Sequence, residues 1–428
     1  RRMDPRETAA KERRLEEGAI PLGEHYVLVG AGQAGCQAAV TLRQSGFEGD
    51  ITLIGEEDAL PYQRPPLSKA YLKGELGEDR LYFRTADFYE SQDITLKLGA
   101  RVSRIDREAK VVSLSHGENV AYDKLLIATG APARRLTCEG ANLKGVYSLR
   151  TLKDSQSLSA ILTGDGPVII IGAGYIGLEV AAVARAAGRE VTVLEMADRV
   201  LARVAAPELS SFYHDLHTEQ GVRIRYGAAV TAIRGENGAV ASVELSDGEQ
   251  LPASSVLVGI GAFACIDIAE EAGLECSGGI VVDEHARTAD PHIYAAGDCT
   301  IFPSARYGRR LRLESVPNAI EQAKAAGANM AGGSALYDPL PWFWSDQYDV
   351  KLQTVGLAAQ DGTFVTRGDP EAKRFSLWCF DKGELVAVDA VNDPAAFAAA
   401  KKVLTVGSRV EPEEVANPDF DLRELMKR

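Results

Sequence analysis

The sequence predicts an α/β fold, with two parallel-sheet units of nucleotide-binding type and a separate α+β unit at the C-terminal end. Two glycine loops and one change of texture lead there. VLVGAGQAGCQAA at 27–39 and VIIIGAGYIGLEV at 168–180 say nearly the same thing. Each runs from an apolar strand through a glycine turn into a helix, the opening of a βαβ unit. From about Tyr337 the chain becomes aromatic and Pro-rich, then alternates as strands do.

Taken in order, Tyr26 to Val29 is an apolar strand. A helix from about Gly35 ends near Gly46, a suitable C-cap, and Ile51 to Ile54 is the next strand. The plan repeats with a strand at Val168 to Ile171, a helix after Gly177 that stops at Gly188, and a strand at Val191 to Leu194. Right-handed crossovers make both strand pairs parallel. Shorter strands are expected at Ala121 to Ala128, Val240 to Leu245 and Ser255 to Gly259. The last unit carries strands at Lys351 to Val355, Arg374 to Phe380 and Glu384 to Val391, then a helix over Pro394 to Leu404.

Composition narrows the function. The 428 residues are 46% hydrophobic and 25% charged, enough for a sizeable core. A formal charge of −14 argues against nucleic acid as the partner. The longest uncharged stretch, between Gln250 and Asp267, is short and broken by Pro252, Gly259 and Gly261, so no membrane span is expected. The opening RRMDPRETAAKERRLEEGAI lacks an apolar run and reads as a charged tail. Six cysteines, at 36, 138, 265, 276, 299 and 379, form neither C-x-x-C nor an iron–sulfur run. They are expected to be reduced thiols in a cytoplasmic protein with no metal site of its own.

The loops are Gly30-x-Gly32-x-x-Gly35 and Gly172-x-Gly174-x-x-Gly177. The first glycine permits a tight turn, the second lets backbone approach a pyrophosphate, and the third lets helix pack on strand. The helix N-terminus then faces the phosphates. Glu56 and Glu195 each follow the next strand, about 20 residues on, where a carboxylate accepts from a ribose hydroxyl. Glu57 is expected to be a solvated surface acid. Two such sites suit a resident dinucleotide flavin and an exchanging nicotinamide nucleotide, with hydride passing between their rings.

Five further motifs appear in order: PYQRPPLSKAYLKGEL at 61–76, LLIATGAPAR at 125–134, IYAAGDC at 293–299, ESVPNAIEQA at 314–323 and PWFWSDQY at 341–348. Together they resemble the FAD-dependent, NADH-using ferredoxin reductases that serve bacterial oxygenases, over about residues 25–425. The resemblance implies a glutathione-reductase-like fold. A discontinuous FAD domain would span 25–133 and 263–335, an NAD domain 134–262, and a C-terminal interface domain 336–428, after a tail at 1–24. It implies FAD contacts at Ala34, Glu56, Lys69, Val102, Ala128, Thr129, Gly130, Arg134, Asp298, Val316 and Trp344, beside the first loop. Asp298 would accept from the ribityl chain, ahead of a helix opening near Val316. Nicotinamide nucleotide contacts would add Ile176, Gly261 and Glu314 to the second loop.

The same resemblance places Lys69 and Glu179 as a pair beside the flavin N5, polarising the hydride path. By chemistry alone, Lys69 is a surface charge and Glu179 a first-turn acid. Tyr175 either gates the nicotinamide or simply packs. Glu195 repels the 2′-phosphate of NADPH, so NADH is favoured, with Arg199 and Arg203 downstream to soften the preference. Electrons must leave singly for a cluster on another protein, expected to be a small acidic [2Fe–2S] ferredoxin feeding a P450 or Rieske-type oxygenase. Arg306, Arg309, Arg310 and Arg312, with Arg84, Lys73 and Lys324, are candidate docking cations. Trp342 reads as packing and Trp344 as a shield of the flavin edge. The molecule is expected to be a monomer or weak homodimer. Two rivals share the layout. A disulfide or NADH-oxidase-type reductase needs a cysteine beside the flavin, where Cys36 stands alone and PPLSK holds lysine. An apoptosis-inducing-factor-like protein would signal in its NADH-bound state instead.

Overall fold

The computed structural model describes residues 23–428, so the charged tail lies outside the described residues but for Gly23 and Glu24. The first unit runs β1 (His25–Val29), α1 (Gln33–Gln44), β2 (Asp50–Ile54), β3 (Ile94–Lys97) and β4 (Lys124–Ile127). The second runs β5 (Val146–Tyr147), β6 (Val168–Ile171), α2 (Tyr175–Ala186), β7 (Val191–Leu194), α3 (Pro207–Glu219), β8 (Arg223–Arg225) and β9 (Ser255–Val258). The chain then returns with β10 (Ile293–Ala295) and α4 (Val316–Met330). The last unit holds β11 (Trp342–Gln347), β12 (Val350–Gly356), β13 (Thr363–Asp369), β14 (Arg374–Asp381), β15 (Glu384–Val391) and α5 (Pro394–Val406).

The first sheet has strand order β10–β4–β1–β2–β3 and the second β8–β7–β6–β9–β5, all pairs parallel. The inner strands β4, β6 and β7 are buried but for Lys124 at the start of β4, as parallel strands covered on both faces require. In each sheet the strand order reverses beside the glycine loop, the usual seat of a nucleotide. Because β10 pairs with β4, residues near 293–299 are carried back to the first glycine loop. α4 lies along α1 there.

The third sheet is antiparallel, in order β11–β12–β15–β14–β13. Its two faces have different partners, read off the period of two. Val350, Leu352, Phe375, Leu377 and Val391 join the core that holds α2 and α3 of the second unit. Val355, Trp378, Val388 and Ala390 face α5. α5 forms where the sequence demands it. Asp393 caps the Ala396 N–H, Pro394 occupies the first turn, and Gly407 closes the helix at φ 73°.

Three local expectations need correction. α1 and α2 begin at Gln33 and Tyr175, two residues before the third glycine of each loop. Neither start has a side-chain cap, so no polar residue announces it. The strand expected over 121–128 splits into Asn119–Ala121 and Lys124–Ile127. Asp123 breaks it by turning its carboxylate back onto the His25 N–H at 2.7 Å.

Candidate active site

The two loops are built alike. Gly30 has φ 112° and Gly172 φ 101°. A Cβ at Gly30 would lie 2.1 Å from the Ala128 carbonyl, and one at Gly172 2.4 Å from the Gly259 carbonyl. A Cβ at Gly35 or Gly177 would strike the carbonyl of the first glycine of its own loop, at 1.9 and 2.1 Å. The middle glycines differ: a Cβ on Gly32 or Gly174 meets nothing within 4 Å. Each faces open space at an uncapped helix N-terminus whose first N–H groups lack side-chain partners. Two pyrophosphates fit these cradles, and a methyl group at either middle position would intrude on one.

Around the first cradle, Ala34 is buried at the start of α1, and Ala128 follows β4 with its N–H on the Val29 carbonyl. The Thr129 hydroxyl donates to the Cys265 carbonyl at 2.6 Å, and Gly130 turns at φ 71°. Val102 is buried in the core behind β2. Arg134 donates to the Ala262 carbonyl at the crossing between the first two units. Asp298 is paired with Arg150 at 2.8 Å. Burial pushes its carboxyl up, Arg150 opposes the shift, and Glu314 adds to it. Gln322 on α4 pins the same turn by accepting from the Gly297 N–H and the Thr300 hydroxyl, both at 2.8 Å. Val316 is the first residue of α4, behind a Ser315 cap.

The two ribose acids part company. Glu195 is fixed at the lip of the second loop, accepting from the Ala173 and Ala197 N–H groups, both at 2.8 Å. Glu56 is exposed, with only Arg101 at 3.5 Å. Its neighbour Glu57 is not the free surface acid expected. It accepts from the Tyr62 hydroxyl at 2.6 Å and from Arg64 at 2.8 Å. Arg64 in turn donates to the Arg150 carbonyl at 2.6 Å. Tyr62, Arg64 and Arg150 were not legible as site residues, although the first two lie within PYQRPPLSK.

At the second loop, Arg199 is spent on the Ser210 hydroxyl and the Ala202 and Ala205 carbonyls. It is therefore a structural cation, against the expectation that it tunes nucleotide choice. Arg203 stays exposed and reaches Gly261, where a Cβ would sit 3.1 Å from its guanidinium. Ile176 is exposed on the first turn of α2.

Lys69 and Glu179 meet. Lys69 Nζ stands 2.6 Å from Glu179 Oε2. The lysine follows the one-turn helix Pro65–Ser68 of the first unit, and the glutamate lies on α2 of the second. Glu179 is only 2% exposed, so each of its oxygens needs partners. Ser68 donates to the same Oε2 at 2.5 Å, and Ser345 on β11 donates to Oε1 at 2.7 Å. The first and third units thus supply the donors to one carboxylate carried by the second. The two serines were unread in sequence because a hydroxyl in PPLSK or WSDQ carries no charge signal. Period two on β11 was the available clue, since it sends Phe343, Ser345 and Gln347 to one face. Tyr175 lies against Phe343, ring centroids 4.7 Å apart, and burial pushes its hydroxyl well up. Glu314 is paired with Arg312.

Residues 24–323 match the family described as Pyridine nucleotide-disulphide oxidoreductase, and 342–426 match Reductase C-terminal. Rhodocoxin reductase of Rhodococcus erythropolis is 44% identical over 402 residues, covering 94% of each chain. Putidaredoxin reductase of Pseudomonas putida is 42% identical over 408 residues, covering 94% of this chain and 97% of that one. The chain belongs to the ferredoxin reductase branch of this oxidoreductase family. The ferredoxin reductase of the CYP199A2 system from Rhodopseudomonas palustris superposes with a TM-score of 0.91 at 45% identity, covering 94% of this chain and 99% of that one. The reductase in the covalent putidaredoxin reductase–putidaredoxin complex gives 0.92 at 41%, covering 94% and 98%. Membership implies FAD and a nicotinamide nucleotide, which the two open cradles suit.

The candidate docking cations of this reductase are mostly engaged. Arg306 donates to the Leu404 carbonyl at 2.8 Å and ties the last unit down. Arg310 pairs with Glu275, Lys73 with Glu75 and Lys324 with Glu321, while Arg84 lies over the Phe88 ring. Arg309 is exposed on the strand Arg309–Leu311. Trp342 packs beneath Lys401 and Phe397 of α5, and Trp344 tilts beside it at 5.7 Å. All six cysteines are free thiols. No helix among the described residues is long and apolar enough to cross a membrane.

Proposed function

We propose that this chain takes hydride from NADH onto FAD and passes single electrons to a small acidic [2Fe–2S] ferredoxin feeding a P450 or Rieske-type oxygenase. The observation that carries it is the Lys69–Glu179 pair, one residue from each dinucleotide unit, whose carboxylate is buried. When bound, FAD supplies a ring that accepts a hydride and releases electrons one at a time. The first loop, Ala34, Val102, Thr129, Arg134, Asp298, Val316 and Trp344 hold it. The second loop, Glu195 and Gly261 hold the nucleotide. Lys69 and Glu179 orient the carboxamide end, and Tyr175 with Phe343 closes that pocket to water. Hydride transfer needs near-attack geometry more than proton movement, so a rigid, fully paired carboxylate is what the site must provide. The fixed carboxylate of Glu195 favours NADH over NADPH. The units divide at 25–133 with 263–335, 134–262 and 336–428, and the molecule works in the cytoplasm as a monomer or weak dimer.

The test is direct. Holoprotein mixed anaerobically with NADH is expected to bleach its flavin absorbance, and a panel of [2Fe–2S] ferredoxins is then expected to reoxidise it with multiple turnovers. Preparations that bind no flavin, or that bleach yet reduce none of the panel, overturn the proposal.

A further inference from the structure

The hydrogen bonds on Glu179 do not stop at its first partners. Gln347 Nε2 donates to Ser345 Oγ at 3.3 Å. Gln347 Oε1 lies 2.7 Å from His217 Nε2, on α3. His217 Nδ1 lies 3.4 Å from the Tyr348 hydroxyl, with the two rings 5.1 Å apart. Glu179, Ser345, Gln347 and His217 are each no more than 2% exposed. Tyr348 adopts φ 54°, a conformation unfavourable for a bulky residue, in the turn that brings its ring to His217.

The chemistry of the groups fixes the direction of the chain. A carboxylate only accepts, so Ser345 donates to it. The Ser345 oxygen then accepts from the Gln347 nitrogen, which leaves the Gln347 oxygen facing His217. An amide oxygen only accepts, so His217 carries its proton on Nε2. Its Nδ1 is left with a lone pair for the Tyr348 hydroxyl. Every donor points toward Glu179. Burial also holds the His217 pKa down to about 4, so the ring is neutral at working pH.

We infer that Tyr348, His217, Gln347 and Ser345 form a one-way positioning chain that sets the Glu179 carboxylate for hydride transfer, so that the docked third unit governs the nicotinamide pocket. The inference rests on the reading of Glu179 as a site residue. Its elements are side chains of this chain alone. None of them touches the reacting atoms, and all act through Glu179.

Three variants separate positioning from general support. Ser345→Ala removes the donor to Oε1. Gln347→Glu keeps the shape and the His217 contact but cannot donate to Ser345. Ser345→Thr restores the hydroxyl. In stopped-flow reduction of the holoprotein flavin by NADH, the first two are expected to slow hydride transfer about tenfold, and Ser345→Thr to recover most of the rate. In a Glu179→Gln background neither change is expected to cost more than about twofold further. Equal losses in both backgrounds, or none in the native one, overturn the inference. Glu179→Gln having no effect by itself instead sinks the assignment of Glu179 to the site. A second readout is independent of turnover. In ¹⁵N-histidine NMR of the holoprotein, His217 is expected to be neutral with its proton on Nε2 from about pH 6 to about pH 8. A proton on Nδ1, or a charged ring, breaks the direction of the chain and overturns it.

Discussion

At the scale of single residues, the outcome turns on how a buried charge is satisfied. Glu179 sits in a core and is held by one cation and two hydroxyls. Breaking a buried pair leaves an uncompensated charge, typically at a cost of about 3–5 kcal/mol. Lys69→Met is therefore expected to slow flavin reduction by about 100-fold or more and to lower the thermal midpoint. Lys69→Arg, whose planar fork does not match the single Oε2 contact, is expected to rescue only partly. Stopped-flow reduction and a melting curve check both. Glu195 calls for a separate experiment. Glu195→Ser removes the carboxylate proposed to reject a 2′-phosphate, so the ratio of kcat/KM for NADH to that for NADPH is expected to fall about tenfold or more. Glu195 was legible from its spacing behind a glycine loop, whereas Lys69 and Glu179 were paired only through the family resemblance, since by chemistry alone each reads as an ordinary surface or first-turn charge. Ser68 and Ser345 were not legible, since their role exists only once three distant stretches converge on one carboxylate. Glu57 misled for the same reason: Tyr62 and Arg64 reach it only after the chain has turned.

At the scale of elements, both glycine loops were readable because backbone geometry leaves few residues a choice. Gly35→Ala drives a Cβ to 1.9 Å from the Gly30 carbonyl and is expected to prevent stable folding of the first unit. Gly32→Ala meets no protein atom within 4 Å. It is expected to leave the melting point of the flavin-free protein within about 1 °C while loosening FAD, as fluorescence release on dilution would show. The starts of α1 and α2 were misplaced because no capping side chain marks them. β15 carries a different burden. Asp389 lies on it opposite Thr354 and Leu377, close enough to Tyr175 to push that hydroxyl up. Burial raises the Asp389 carboxyl to about 7. The folded form thus holds a proton that the unfolded chain gives up near pH 4. Stability from this group is complete below about pH 4 and is lost as pH rises through about 7. Asp389→Asn is expected to stabilise the protein by about 1–3 kcal/mol at pH 8, with no gain near pH 4. Urea unfolding at the two pH values measures it.

At the scale of the whole molecule, the fold was legible and the partner surface was not. Two glycine loops, the return of the chain through IYAAGDC and a change of periodicity at the end are enough to lay out three units. A docking patch has no such grammar. Of the arginines at 306–312, Arg306 anchors α5 through the Leu404 carbonyl, and Arg310 and Arg312 pair with Glu275 and Glu314. On a molecule of net charge −14, attraction for an acidic carrier must be local. Arg309→Glu is expected to raise the KM for an acidic ferredoxin severalfold at low ionic strength, fading at about 0.5 M salt, with flavin reduction by NADH unchanged. Arg306→Ala is expected to act on the melting temperature instead.

The meeting of three stretches on a single carboxylate also limits how such chains can be recombined. For a hybrid that trades everything after Tyr337 for a foreign sequence, the proposed pocket is expected to work only where the newcomer brings a hydroxyl to the place of Ser345. Library designers who cut at that seam should therefore carry the first strand of the graft over intact, and vary the outer helix that never reaches the glutamate.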